Sequence, residues 1–174
     1  MNQARPFEPP MPEPLAFFLT WPTYGSWLPG DERGWVEYRG GWKPPDPTLK
    51  KAATARMTED ACVLTHEQRI IAEQTIRDHC VIRGWELFAV SCRSNHVHVV
   101  VAANIPPKEV CRQFKSWCTR RLKEHQASSD SRTSKPRQNW WAERASKRFL
   151  NDEASLESAV IYTSEAQDRK DRDH

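Results

Sequence analysis

No apolar run in this chain approaches the roughly 18 residues that a membrane-spanning helix needs, so the sequence predicts no bilayer span. The N-terminus also lacks a cationic stretch followed by an apolar one. Residues 1–14 carry Pro6, Pro9, Pro10, Pro12 and Pro14, the composition of an extended arm rather than of a signal or transit peptide. Cys-x-x-Cys is missing, and so is any short-spaced Cys/His set of zinc-finger type. Cys62, Cys80, Cys92, Cys111 and Cys118 are an odd number, which favours buried thiols in a reducing cytoplasm over disulfides. A structural zinc domain would have to draw on His66, His79, His96 and His98 at poor spacings. Internal repeats are absent as well.

What the chain does have is 38% hydrophobic and 28% charged residues over 174 positions, enough for one domain with a real core. The organisation expected is an arm over 1–14, one domain over 15–170 and a frayed tail over 171–174. Within the domain, about 36–62 reads as an irregular insertion and 126–138 as a mobile basic loop. Charge is unevenly spread: from Lys108 to Arg148 there are twelve Lys and Arg against four Asp and Glu. Clustered cations point to a polyanion partner, and eight tryptophans supply faces on which unpaired bases can stack. A nucleic-acid-binding module without catalysis would account for these features alone.

The central motif is Asn95-His96-Val97-His98-Val99-Val100-Val101. Side chains alternate along a strand, so His96 and His98 share one face roughly 7 Å apart while Val97, Val99 and Val101 fill the other. Two neutral imidazoles at that spacing are half of a metal site. A HIT-type nucleotide hydrolase also reads histidine, apolar, histidine, but it needs a third histidine where this chain has Val100.

Around that strand, Leu15 to Trp21 reads as a buried strand, and a turn-rich, aromatic loop follows with Trp27, Trp35 and Trp42. Thr65 can cap a helix to Arg83, stopped by Gly84. Trp85 to Cys92 forms a hairpin with the histidine strand through Arg93-Ser94-Asn95. Pro106 and Pro107 open a helix to about His125 with Val110, Phe114, Trp117, Cys118 and Leu122 on its apolar stripe. Its other face offers Arg112, Lys115, Arg120 and Lys123 to solvent or phosphate. A short strand ends at Leu150, and Asn151 or Asp152 caps a last helix from Glu153 to about Arg169. Strand, helix, strand, strand, helix, strand, helix predicts an α+β, ferredoxin-like split β-α-β sheet with an added C-terminal helix.

On that last helix, at about 100° per residue, Leu156, Ala159, Val160, Thr163 and Ala166 make the buried stripe and Tyr162 lies at its edge. Gln167 falls within the stripe, and Glu165 lies about 60° from Tyr162. Either can complete a metal site: packing favours Gln167, and carboxylate chemistry favours Glu165.

Taken together, Phe17 to Trp21 leading into Tyr24 to Gly30, then Asn95 to Val100, Lys147 to Leu150 and Tyr162 to Gln167 resemble the single-tyrosine HUH transposases of bacterial insertion sequences and their REP-associated relatives. The resemblance implies that His96, His98 and a polar residue of the tyrosine helix bind Mg²⁺ or Mn²⁺. It implies that Tyr162 attacks single-stranded, hairpin-forming DNA, leaving a 5′-phosphotyrosine and a free 3′-hydroxyl. A homodimer is usual in that family, though a monomer is compatible with the sequence. The location implied is the bacterial cytoplasm, on the nucleoid. Arg112, Lys115, Arg120, Lys123, Arg144, Lys147 and Arg148 are the expected DNA-backbone contacts, with Trp27 and Trp35 as base-stacking platforms. The chain departs from its relatives in Arg144-Ala145-Ser146, where they carry Gly-Gly-Ser, and in Glu165-Ala166-Gln167, where they carry Glu-Gly-Gln. A domesticated hairpin-binding protein that does not cleave is therefore the alternative expectation.

Overall fold

Alternation along the strands divides the molecule into layers. The computed structural model describes residues 9, 11–129 and 135–166. Its main sheet contains β1 (Ala16–Pro22), β4 (Glu86–Cys92), β5 (His96–Ala102) and β6 (Ser146–Leu150). The order is β4-β5-β1-β6, antiparallel throughout. This is the ferredoxin-like arrangement, and it makes the histidine strand central.

One face of the sheet is the main core. Val97, Val99 and Val101 are fully buried with Leu19 and Trp21, and each apolar side chain of this size contributes about 1.5–3 kcal/mol. They pack against α2 (His66–Arg83) through Ala72, Ile76 and Cys80, and against α3 (Pro107–Ser128) through Val110, Phe114 and Cys118. Helix α2 is locally well specified. Thr65 and Gln68 close a reciprocal capping box, and Gly84, at φ 67°, ends the helix in the left-handed conformation that costs a glycine least. On the opposite face, Ala16, Ala89, Val100 and Leu150 pack under α4 (Glu153–Ile161) through Leu156, Ala159 and Val160.

Several expectations are corrected. The stretch read as irregular holds an antiparallel ribbon, β2 (Trp35–Glu37) with β3 (Gly41–Lys43), and then α1 (Pro47–Ala55). Asp46 caps α1 by accepting from the Leu49 amide, but no α1 residue is buried, so the helix carries no apolar stripe to betray it. Helix α3 continues to Ser128, past the expected end. Trp117 is 41% exposed rather than core, with the Arg120 guanidinium 5.2 Å from its ring centroid. Of the basic loop, 130–134 lie outside the described residues. Arg137 to Asn139 are anchored: the Arg137 amide donates to Gln126, and Glu59 accepts from the amides of Gln138 and Asn139 at 2.8 and 2.6 Å. The last helix is α-helical only to Ile161; Tyr162–Ala166 form a π turn, and 167–169 lie outside the described residues, as does the tail. Of the arm, residue 9 and residues 11–14 are described, and Asn151 accepts from the Met11 amide and donates to the Pro9 carbonyl.

Candidate active site

Strand register assembles the site. Thr20 pairs with both His98 and Ser146, Phe18 with both Val100 and Arg148, and Pro22 with His96. Directly paired residues of an antiparallel sheet point to the same face, so His96, His98, Thr20, Phe18, Ser146 and Arg148 share the face opposite the main core. Helix α4 covers that face over Val100 and Leu150 and delivers Tyr162 beside the histidines.

The rings interlock. His96 and His98 have centroids 4.7 Å apart, and His98 meets Tyr162 edge to face at 5.6 Å and 88°. Phe18 stacks on His98 at 5.6 Å and stands edge-on to Tyr162 at 6.0 Å. Tyr162 itself is half-buried.

Hydrogen bonds orient the imidazoles. The Nδ1 of His96 is bonded to the side-chain oxygen of Asn95, an atom that can only accept, so the proton is on Nδ1 and the lone pair on Nε2. The Nδ1 of His98 lies 2.8 Å from the Thr20 hydroxyl; with the proton on this nitrogen, Thr20 accepts and Nε2 again holds the lone pair. Outer partners of this kind are how proteins aim histidine ligands. Burial, reinforced by His96 and by the positive charge of Arg93, pushes the His98 pKa down to about 3. His98 is therefore neutral at any physiological pH, the state a cation ligand needs and a poor one for taking a proton from tyrosine. Arg93, on the hairpin turn, was not singled out from the sequence; its charge acts at His98 all the same.

Among the described residues, no cluster of three or more His, Cys, Asp or Glu could hold a metal ion. Glu165 is exposed and is not brought into such a set with His96 and His98, and Gln167 lies outside the described residues. The donors present fit a cation incompletely: they are two imidazoles, each with Nδ1 engaged by a neighbouring side chain.

The basic residues separate into two groups. Arg112, Arg120 and Lys123 project from α3, on the layer across the sheet from the histidines. Arg112 is paired with Glu109, Arg120 with Glu124 at 3.1 Å, and Lys123 donates to Gln138 at 3.1 Å. Lys115 is tied down: its Nζ donates to the carbonyls of Ala142, Glu143 and Arg144 at 2.7, 3.3 and 3.4 Å, locking α3 to the approach to β6. Lys147 pairs with Leu19 on the core side and donates to the Ala145 carbonyl. Arg148 shares the histidine face, and Arg144 lies over Tyr38. Trp27 is half exposed and donates to the Gly34 carbonyl at 2.8 Å. Trp35 is only partly exposed with its indole N–H buried, so of the two expected stacking platforms only Trp27 offers an open ring.

Residues 54–155 match the family model described as IS200-like transposase. The chain belongs to this family. The match takes in His96 and His98 and ends before Tyr162. As an IS200-like transposase, the chain has a role related to DNA transposition. Two solved structures are similar in shape. One is a candidate transposase from Deinococcus radiodurans R1, 12% identical, with all of this chain and 98% of that one covered and a TM-score of 0.45. The other is a REP-associated tyrosine transposase bound to a REP hairpin, 11% identical, with coverage of 98% and 75% and a TM-score of 0.48. No curated protein matches the chain. No helix among the described residues of this transposase is long and apolar enough to cross a membrane.

Proposed function

We propose that this transposase cleaves and rejoins single-stranded DNA through a covalent bond between Tyr162 and a 5′-phosphate. The observation that carries the reading is the edge-to-face contact of Tyr162 with His98, which puts a half-buried phenol next to a pair of oriented imidazoles. The Tyr162 Oη attacks phosphorus; the P–O bond to tyrosine forms as the P–O3′ bond breaks. The phenol proton passes to solvent, and the departing 3′-oxygen takes up a proton to become a hydroxyl. A phosphotyrosine keeps the energy of the broken ester, so the reverse attack by a 3′-hydroxyl rejoins DNA with no other energy source.

His96 and His98 are the proposed ligands of Mg²⁺ or Mn²⁺, with Gln167 completing the set. A bound divalent cation would polarise the scissile phosphate and stabilise the leaving oxygen. Gln167 is proposed ahead of Glu165 because Glu165 is exposed and the sequence pattern puts Gln167 on the buried stripe. Arg148 and Arg93 are the cations on this face for the phosphate backbone. The partner proposed is hairpin-forming single-stranded DNA, and the assembly proposed is a homodimer, with a monomer also compatible.

A second reading, hairpin binding without cleavage, is supported by the sequence at two places near the proposed site, Arg144-Ala145-Ser146 and Glu165-Ala166-Gln167, where side chains stand in place of the glycines of the family it resembles. The test incubates the purified chain with labelled hairpin DNA from the flanks of its own gene and Mn²⁺ or Mg²⁺, then runs a denaturing gel. An adduct that disappears with Tyr162→Phe and with a chelator supports the transesterase. Salt-sensitive binding without adduct supports the binding protein, and neither result would remove DNA from the account.

A further inference from the structure

The β2–β3 ribbon is small, yet it displays more large side chains than its size requires. Val36 is 55% exposed, Tyr38 68%, Trp42 62% and the adjoining Trp27 47%. Val36 and Trp42 are direct cross-strand partners and share a face of the ribbon. Trp42 and Trp27 converge on one glycine: a Cβ on Gly34 would lie 2.5 Å from the Trp42 indole, and Trp27 donates to the Gly34 carbonyl. The two indoles are thus braced by the backbone around Gly34 while remaining largely exposed.

The tip of the ribbon is cationic at a cost. Arg39 sits at φ 68°, a left-handed conformation that ordinarily goes to glycine or asparagine and strains any other residue. Its guanidinium lies 5.3 Å from the Tyr38 ring centroid, and that of Arg144 lies 5.2 Å from the same centroid. The ribbon's one acid, Glu37, is paired with Lys43 at 3.3 Å. Arg144 is two residues before Ser146, which stands across Thr20 from His98, so the ribbon tip meets the sheet at the end where the histidines lie. The ribbon is also outside the residues that match the family model, 54–155.

We propose that this ribbon is a stacking platform for unpaired bases of the DNA strand running away from the histidine face, with Tyr38 and Trp42 carrying bases and Arg39 and Arg144 holding the intervening phosphates. The inference rests on single-stranded DNA being the partner proposed above. Exposed aromatic rings interleaved with arginine are the recurring solution for binding single strands, since every base has a face to stack and every linkage a charge.

The test measures binding alone, without divalent metal, by fluorescence anisotropy. It uses the full chain and two labelled probes, a blunt DNA hairpin and the same hairpin with an unpaired tail bearing 2-aminopurine. Tyr38→Ala and Trp42→Ala should each weaken the tailed probe by roughly five- to a hundredfold and abolish 2-aminopurine quenching, with the blunt probe little changed. Tyr38→Phe and Trp42→Phe should restore both signals, which a folding defect would not. Equal affinity of parent and alanine variants for the tailed probe would overturn the proposal. So would an equal loss on both probes, or a change of oligomeric state with tail binding intact, which would assign the patch to self-association. Tail-dependent binding without any Tyr162 adduct would leave the platform standing and remove the cleavage chemistry instead. A parent that binds neither probe would end both.

Discussion

The Thr20 hydroxyl lies 2.8 Å from Nδ1 of His98, on the strand neighbouring the histidine pair. This bond fixes the ring so that Nε2 is the nitrogen left for a cation. Thr20→Val keeps the shape and removes the bond. It should weaken Mn²⁺ binding about 10- to 100-fold, read by calorimetry, while melting temperature changes little. Unchanged metal affinity would show that ring packing by Phe18 alone orients His98.

Lys115 and Arg148 should behave oppositely. Lys115→Met removes three hydrogen bonds to the carbonyls of Ala142, Glu143 and Arg144 and should cost about 1.5–3 kcal/mol of stability in urea titrations, without lowering the salt dependence of DNA binding. Arg148→Ala should leave stability nearly intact and reduce the slope of log affinity against log salt by about one. The reverse pattern would move the DNA to the α3 side of the sheet.

Glu59 supplies a pH test. The hydrogen bond from the Gln138 amide, with those from the amide and side chain of Asn139 and the charge of Arg137, holds its carboxyl below the usual value against the opposing effect of desolvation. In the unfolded chain the group returns to its ordinary pKa near 4.3. The unfolded state therefore binds more protons than the folded one between the two values, and stability falls as pH is lowered through them. The contribution is fully present above about pH 5 and lost on further acidification. Thermal melts from pH 6 to pH 3, as order-of-magnitude bounds of that window, should fall more steeply for the parent than for Glu59→Gln. Parallel curves would contradict the assignment.

Where local chemistry decides structure, the sequence was readable. The hairpin, the Thr65 cap and Gly84 stop of α2 and the central histidine strand all follow from alternation, helical spacing and end signals. Residues whose role depends on which layer an element joins were not readable. The spacing of Arg112, Arg120 and Lys123 tells which side of α3 they occupy, but only the sheet shows that α3 covers the valine face. Lys115 looks like any solvent-facing lysine until the chain returns toward β6 beneath it. Helix α1 buries nothing, so it has no period, and the π turn at Tyr162 leaves no trace in an apolar pattern. Phe18 was legible as a strand residue; its contact with both His98 and Tyr162 requires the β1–β5 register.

The most direct measurement of the central claim is the identity of the residue that carries the DNA. The adduct formed with hairpin DNA and Mn²⁺ is digested with nuclease and protease, and the modified peptide is sequenced by tandem mass spectrometry. A nucleotide 5′-phosphate on Tyr162, with a free 3′-hydroxyl on the released strand, is the predicted result. Modification of Tyr24 or Tyr38 instead, or no covalent product from a protein that binds the hairpin tightly, would contradict it.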